Sequence, residues 1–216
     1  MKTLKRIISL IVLSCMMLGM AACAQSDNFD AKGYTEALMV LITTGDKDKL
    51  VSLGMSEGEA DTAYKNLVES MEDEVSEQLE NYDVTDKTRE KWNEMLTKMF
   101  NVSKYSIDEA KKTDNGYTVD VHITPILFTE MSEDKTFIDA VQDKIVKAFD
   151  AKEITMDSIY DFTFYQTAEM LIKELDNPKF GEEIVVTVTY EKNSEGKYQV
   201  KDESETGIKI GTALFK

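Results

Sequence analysis

The sequence predicts an α+β domain, and three observations predict it. Apolar residues recur at helical spacing through residues 30–100 and again through 132–175, each run opened by a capping residue. Strict two-residue alternation governs Tyr117, Val119, Val121 and Ile123, and again Ile184, Val186, Val188 and Tyr190. Each alternating run adjoins a turn signal, Asp114-Asn115-Gly116 before the first and residues 193–196 after the second, so the chain reads as two β-hairpins. Two hairpins make one antiparallel sheet of about four strands. Helices pack on one face of it, and a helical pair stands between the hairpins.

The elements follow in order. Asp30 caps a first helix over residues 29–44, in which Tyr34, Ala37, Leu38, Leu41 and Ile42 share one side, and a short helical turn is expected over 48–53. Ser56 and Glu59 have capping-box spacing. Behind them Ala60, Ala63, Tyr64, Leu67, Val68, Met71, Val75, Leu79 and Tyr82 form one stripe of about seven turns. The opposite side of that helix carries Glu69, Asp73, Glu77 and Glu80. Thr85 or Asp86 starts the next helix, with Trp92, Met95, Leu96, Met99 and Phe100 inward. Tyr105 and Ile107 begin the sheet. Asn115-Gly116 suits a turn that needs positive φ, and Pro125 closes the following strand. Ser132 is expected to open a helix with Phe137, Ile138, Val141, Ile145, Ala148 and Phe149 inward. Thr155 is expected to open another, with Tyr160, Phe164, Tyr165, Ala168, Leu171, Ile172 and Leu175 on one side and Ile159, Phe162 and Met170 off it. A helix apolar on two sides lies between a sheet and other helices, or lines an apolar pocket. Asn177-Pro178 ends it, and Ile208, Ile210, Leu214 and Phe215 read as a short edge strand or a docked terminus.

Composition bounds the function. The chain has 41 acidic and 25 basic residues, net −16. Residues 1–22 hold Lys2, Lys5 and Arg6 and no acid, so residues 23–216 carry 41 against 22, net −19. Nucleic acid is excluded as a partner, because binding it needs clustered Lys and Arg. An anionic headgroup layer is expected to repel such a domain, whereas a basic protein or peptide suits it.

Residues 1–22 have the layout of a signal peptide: a basic start, an uncharged run over 7–22 centred on Ile8, Leu10, Ile11, Val12 and Leu13, and small Ala21 and Ala22 at its end. Met20-Ala21-Ala22-Cys23 resembles the lipobox of bacterial lipoproteins, with Met in place of the preferred Leu. The resemblance implies a diacylglyceryl thioether on Cys23 and cleavage before it. Two acyl chains hold a protein on a bilayer stably, where one holds it reversibly. The domain organisation is then 1–22 signal peptide, 23–28 lipidated cysteine and tether, and 29–216 a single domain outside the cell. At roughly 3.5 Å per residue the tether reaches about 20 Å. With Cys23 modified, the mature chain has no thiol for a disulfide, a nucleophile or a metal.

Sites are sparse. His122 is the sole imidazole, which excludes a multi-histidine zinc centre. It alternates with the apolar set and so lies on the polar sheet face beside Asp120, where a paired acid and base is conceivable. No EF-hand loop, phosphate-binding glycine loop or Gly-x-Ser-x-Gly elbow is present, and no cofactor or metal is expected. Tyr160, Phe162, Phe164 and Tyr165 make an aromatic run. Core packing is its simpler account, and ligand contact by Tyr160, Phe162 and Tyr165 the alternative. Glu69, Asp73, Glu77 and Glu80 are a solvated face or a surface for a basic partner.

The segment Phe29-Asp30-Ala31-Lys32-Gly33-Tyr34 after the lipobox, with the strand from Tyr117 to its end at Pro125, resembles a family of uncharacterised lipoproteins of Gram-positive, Clostridium-like bacteria that share a domain of unknown function. Helices preceding a curved sheet also resemble NTF2-like and cystatin-like folds, which implies a pocket between sheet and helices. The function expected is a lipid-anchored, non-catalytic binding or interaction domain on the outer face of the cell membrane. The alternatives are a small-molecule carrier or enzyme with an apolar pocket, and an acidic inhibitor of a basic envelope enzyme.

Overall fold

The structure is a computed structural model that describes residues 29–194 and 196–216. Cys15, Cys23 and the expected leader and tether lie outside the described residues.

Helices come first. In α1 (Ala31–Thr44) the Asp30 carboxylate accepts the Gly33 N–H at 2.8 Å, and Gly45, at φ +73°, ends the helix by donating its N–H to the Leu41 carbonyl. Most of α1 is buried, as its apolar surround dictates. Its two buried threonines are satisfied locally: Thr35 and Thr43 each donate to the carbonyl four residues back at 2.7 Å. A short α2 (Asp48–Ser52) leads to α3 (Glu57–Leu79), which starts at the Ser56–Glu59 capping box in both directions. Ala60, Ala63, Leu67, Met71, Val75 and Leu79 of the α3 stripe are buried and Val68 is half-buried, but Tyr64 and Tyr82 stand exposed. Then α4 (Asp86–Asn101), capped by Thr85, buries Met95, Leu96, Met99 and Phe100. Trp92, expected in the core, is half-buried. Its Nε1–H reaches the Phe164 carbonyl at 3.2 Å.

The sheet is antiparallel throughout. Its strands are β1 (Lys104–Ile107), β2 (Lys111–Lys112), β3 (Gly116–Thr124), β4 (Ile184–Lys192) and β5 (Tyr198–Val200), in the order β1-β3-β4-β5. Strand β2 shares the outer edge of β3 with β1, and the Asp108 N–H bridges the gap to the Asp120 carbonyl at 3.0 Å. Val119, Val121, Ile123, Val186, Val188 and Tyr190 face the core, as the alternation demands. Thr118, Asp120, His122 and Thr124 face solvent.

One turn differs from expectation. Thr113 closes on Gly116 by an N–H···O bond of 2.9 Å, yet none of Asp114, Asn115 and Gly116 takes positive φ. The glycine serves a close approach instead: a β-carbon at Gly116 would stand 1.8 Å from the Tyr190 carbonyl oxygen.

Between β3 and β4 the chain makes α5 (Phe128–Ser132), α6 (Lys135–Asp150) and α7 (Ile159–Glu174). Ser132 ends α5 rather than opening α6. Asp134 is the cap of α6, accepting from Thr136 at 2.8 Å and Phe137 at 3.4 Å. Helix α7 starts after Ser158, not Thr155; the Thr155 N–H donates to the Ser158 hydroxyl at 2.9 Å across a turn that precedes the helix. Ile138 and Phe149, expected inward, are exposed.

Helix α7 lies between α4 and α6, so its two apolar sides meet helices and not the sheet. Asp161 joins it to α4. One carboxylate oxygen accepts the Thr85 N–H at 2.7 Å, the Thr85 hydroxyl at 2.9 Å and the Thr88 hydroxyl at 2.7 Å. Burial works against its ionisation, but these bonds outweigh it and hold the carboxyl below the usual range.

The tail is a helix, α8 (Glu203–Leu214), not an edge strand. Thr206, Gly207, Ile210, Gly211 and Leu214 form its buried side, and Ile208 is exposed. It packs on β3 and β4 beside α1. Phe215 meets Phe100 edge-on at 5.2 Å and bridges Ile126. The molecule is therefore a sheet bare on one face, with α1 and α8 on the other, α4 behind α1, and α3, α7 and α6 outermost. Tyr190 ties the first two layers, its hydroxyl lying 2.7 Å from that of Thr35, and burial pushes its phenol well above the ordinary range.

Two glycine substitutions test this account. Gly116→Ala forces β3 off β4 and is expected to cost about 2–4 kcal/mol in urea unfolding. Gly58→Ala, at an open position in α3 with nothing within 4 Å, is expected to stabilise by a few tenths to about 1 kcal/mol. Equal midpoints for the two would refute the close-approach argument.

Candidate functional site

The aromatic residues of α7 diverge. At about 100° per residue, Tyr160 and Phe162 point to opposite sides of the helix. Tyr160 is 56% exposed, with its ring 5.1 Å from that of Tyr82. Phe164 turns inward, edge-on to Tyr82 at 4.8 Å and to Trp92 at 6.3 Å. Phe162 is half-buried. Tyr165, also half-buried, lies under the Lys87 ammonium at 4.6 Å and that of Lys91 at 5.9 Å. Tyr160 and Tyr165 thus have separate neighbours, and the aromatic run divides between two surfaces of α7.

The acidic face of α3 is exposed at Glu69, Asp73, Glu77 and Glu80. Lys65 pairs with Glu69 at 3.3 Å, one turn away. Beyond Lys65 the sequence has no basic residue until Lys87, while Glu69, Glu72, Asp73, Glu74, Glu77, Glu80, Asp83 and Asp86 fall between. The last turn of α3 has no cation, although a helix C-terminus favours one.

On the bare sheet face His122 bonds to two carboxylates. Its Nδ1 is 2.8 Å from Glu183, and its Nε2 is 3.4 Å from Asp108. The hydrogen bond to Glu183, then that to Asp108, raises the imidazole above its ordinary value of 6.5. Ser106 sits directly opposite His122 in the β1–β3 register. Both ring nitrogens face carboxylates, so neither is placed to take a proton from the Ser106 hydroxyl. Asp120, the neighbour expected from sequence, is engaged elsewhere. Lys111 at 2.8 Å, then Thr187 at 2.6 Å, bonds to its carboxylate and lowers its pKa. Asp108 and Glu183 were invisible from sequence as partners of His122. Their only signal is the register, which sets His122 against Val185, two residues beyond Glu183. Among the described residues no group of three or more His, Asp or Glu is arranged to hold a metal ion.

A polar cleft of about 440 Å³ opens between the two hairpin tips. Lys112, Asp114, Asn115, Glu191, Lys192 and Tyr198 line it. Sequence gave this stretch no role beyond a turn. The other side of Tyr198 is stacked on Phe29 at 4.8 Å, so the cleft adjoins the place where residue 29 enters the fold.

No protein-family model matches the chain, and no curated protein is significantly similar to it. A solved structure is similar: YcdA of Bacillus subtilis subsp. subtilis str. 168, described as a candidate lipoprotein, with a TM-score of 0.58 at 14% identity. The match covers 87% of this chain and 56% of that one, so the chain spans little more than half its neighbour's length. At that identity the likeness is one of fold. Among the described residues no helix is long and apolar enough to cross a membrane.

The His122 cluster predicts a pH dependence. Its contribution is complete while the imidazole is protonated in both states, below about 6.5, and is lost as pH rises through the raised folded value. The urea midpoint of the native chain, relative to His122→Gln, is expected to be higher near pH 5.5 than near pH 8.5. A difference that grows with pH would contradict the assignment.

Proposed function

We propose that the chain is a lipid-anchored, non-catalytic interaction domain held on the outer face of the cytoplasmic membrane of a Gram-positive cell. The observation that carries the anchor is the succession of basic, apolar and small residues that ends in Met20-Ala21-Ala22-Cys23. The fold likeness to a Bacillus subtilis candidate lipoprotein supports it. The place of Phe29 agrees with it, since the chain enters the fold only six residues after Cys23, at the hairpin tips.

The non-catalytic reading rests on side-chain geometry. His122 points both nitrogens at carboxylates, and Tyr160 and Tyr165 serve separate surfaces of α7. What the domain offers outward is charge and apolar surface. That is the equipment of a protein that binds another.

The anchor has a direct test. The native chain is expected to partition into the detergent phase and to carry the added mass of a diacylglyceryl group on the peptide that begins at Cys23. Cys23→Ala is expected to accumulate with its leader uncleaved, or to be released without added mass. Native mass and partitioning unchanged by that substitution would overturn the anchor. In intact envelopes, photocrosslinkers placed over the domain surface are expected to trap a protein partner. Absence of any adduct from every face counts against the interaction reading.

A further inference from the structure

Helix α6 has more apolar surface than it buries. Phe137, Val141 and Ala148 form its buried stripe. Ile138 and Phe149, displaced from it by about 100°, and Val146, farther round the helix, are open to solvent. Val146 is 57% exposed and Phe149 44%. The α6–α7 connection adds Met156 at 68%, the first turn of α7 adds Tyr160, and Tyr160 meets the exposed Tyr82 just beyond α3. Six of the nine large apolar side chains exposed among the described residues belong to α6, its connection to α7, the first turn of α7 and the turn after α3. Single exposed apolar residues need no explanation, but so many gathered on consecutive elements, with Tyr160 and Tyr82 in ring contact, mark an interaction surface.

Electrostatics selects the occupant. Tyr82 joins the strip to the acidic stretch of α3, where Glu77, Glu80 and Asp83 crowd the negative end of the helix with no cation in its last turn. Negative charges beside the negative end of a helix dipole weaken the helix, and a cation nearby relieves that. A second copy of this chain brings the same negative charge to the interface, and an anionic bilayer does too, so both are repelled. Resting on the interaction reading above, we infer that the strip running from α6 across Tyr160 to Tyr82 docks a cationic amphipathic helix of a partner protein. Its apolar side lies on Phe149, Met156 and Tyr160, and its lysines or arginines face the end of α3.

The test uses the full chain in phosphatidylcholine nanodiscs, with empty nanodiscs as the blank. The probe is a labelled amphipathic peptide of about five helical turns, leucine on one face and lysine on the other. Two companions carry glutamine or glutamate in place of lysine. The lysine peptide is expected to bind at least tenfold more tightly than the glutamine peptide, and the glutamate peptide not at all. The double substitution Phe149→Ser with Tyr160→Ser is expected to weaken it at least tenfold. Val185→Ser, on the bare sheet face, is expected to leave it unchanged. Trp92 lies behind Phe164, which touches Tyr82, so its emission gives an intrinsic report of occupancy. Equal binding of the three peptides overturns the inference, as does a double variant that binds like the native chain. So does a dimer, or flotation with anionic vesicles, that the double substitution abolishes. If envelope adducts form from other faces while this strip yields none, the interaction reading stands and this surface falls.

Discussion

Gly116 stands against Glu191 at the head of the β3–β4 ladder, with the Tyr190 carbonyl filling the space a side chain would need. That close approach, together with eight paired positions from Gly116 to Ile123, fixes the register of two strands about sixty residues apart. A slip of one residue would turn Val119, Val121 and Ile123 to water and set Asp120 and His122 against α1 and α8. Strand β3 is also paired on its other edge, so β1 and β2 take their positions from it. Helices α5 to α7 are the excursion that this pairing closes. The layers follow from the same constraint: α1 and α8 cover the apolar face that the register creates, and α4 lies behind α1.

Much of this was legible. The caps at Asp30, Ser56 and Thr85 are local chemistry, and the structure uses each of them. The alternating strands and the helices between them were visible because their periods differ. The tail was not, because α8 buries Gly207, Gly211 and Ala213, residues too small to register as an apolar stripe, while Ile208 and Ile210 imitate a strand. The turn before β3 was read for the wrong reason: glycine is needed there for clearance, not for backbone conformation. Ser132 and Thr155 looked like helix starts because their type suits a cap. Yet Asp134 and Ser158 lie closer to the first buried residues of α6 and α7.

The site was less legible than the fold, for a physical reason. A helical stripe shows which residues are apolar but not how many neighbours are available to cover them. Ile138 and Phe149 look the same in sequence as Phe137 and Val141. Only the packing of α6, mainly against α7 with a smaller contact to α5, leaves them bare. The same holds for His122, whose partners arrive from the end of β1 and the start of β4 and share no local pattern. The acidic run of α3 was readable as composition, but its junction with an apolar strip at Tyr82 was not.

Phe29 sits in a nest of rings: stacked on Tyr198, edge-on to Tyr190 at 5.2 Å, and within about 6 Å of Tyr34 and Tyr117. That nest lies immediately ahead of α1 and pins the residue from which the helix starts. Tyr190 and Tyr198 belong to neighbouring strands, so Phe29 is packed against β4 and β5 together. Aromatic packing at the rim of the sheet thus couples the entry of the chain into the fold to two neighbouring strands at once.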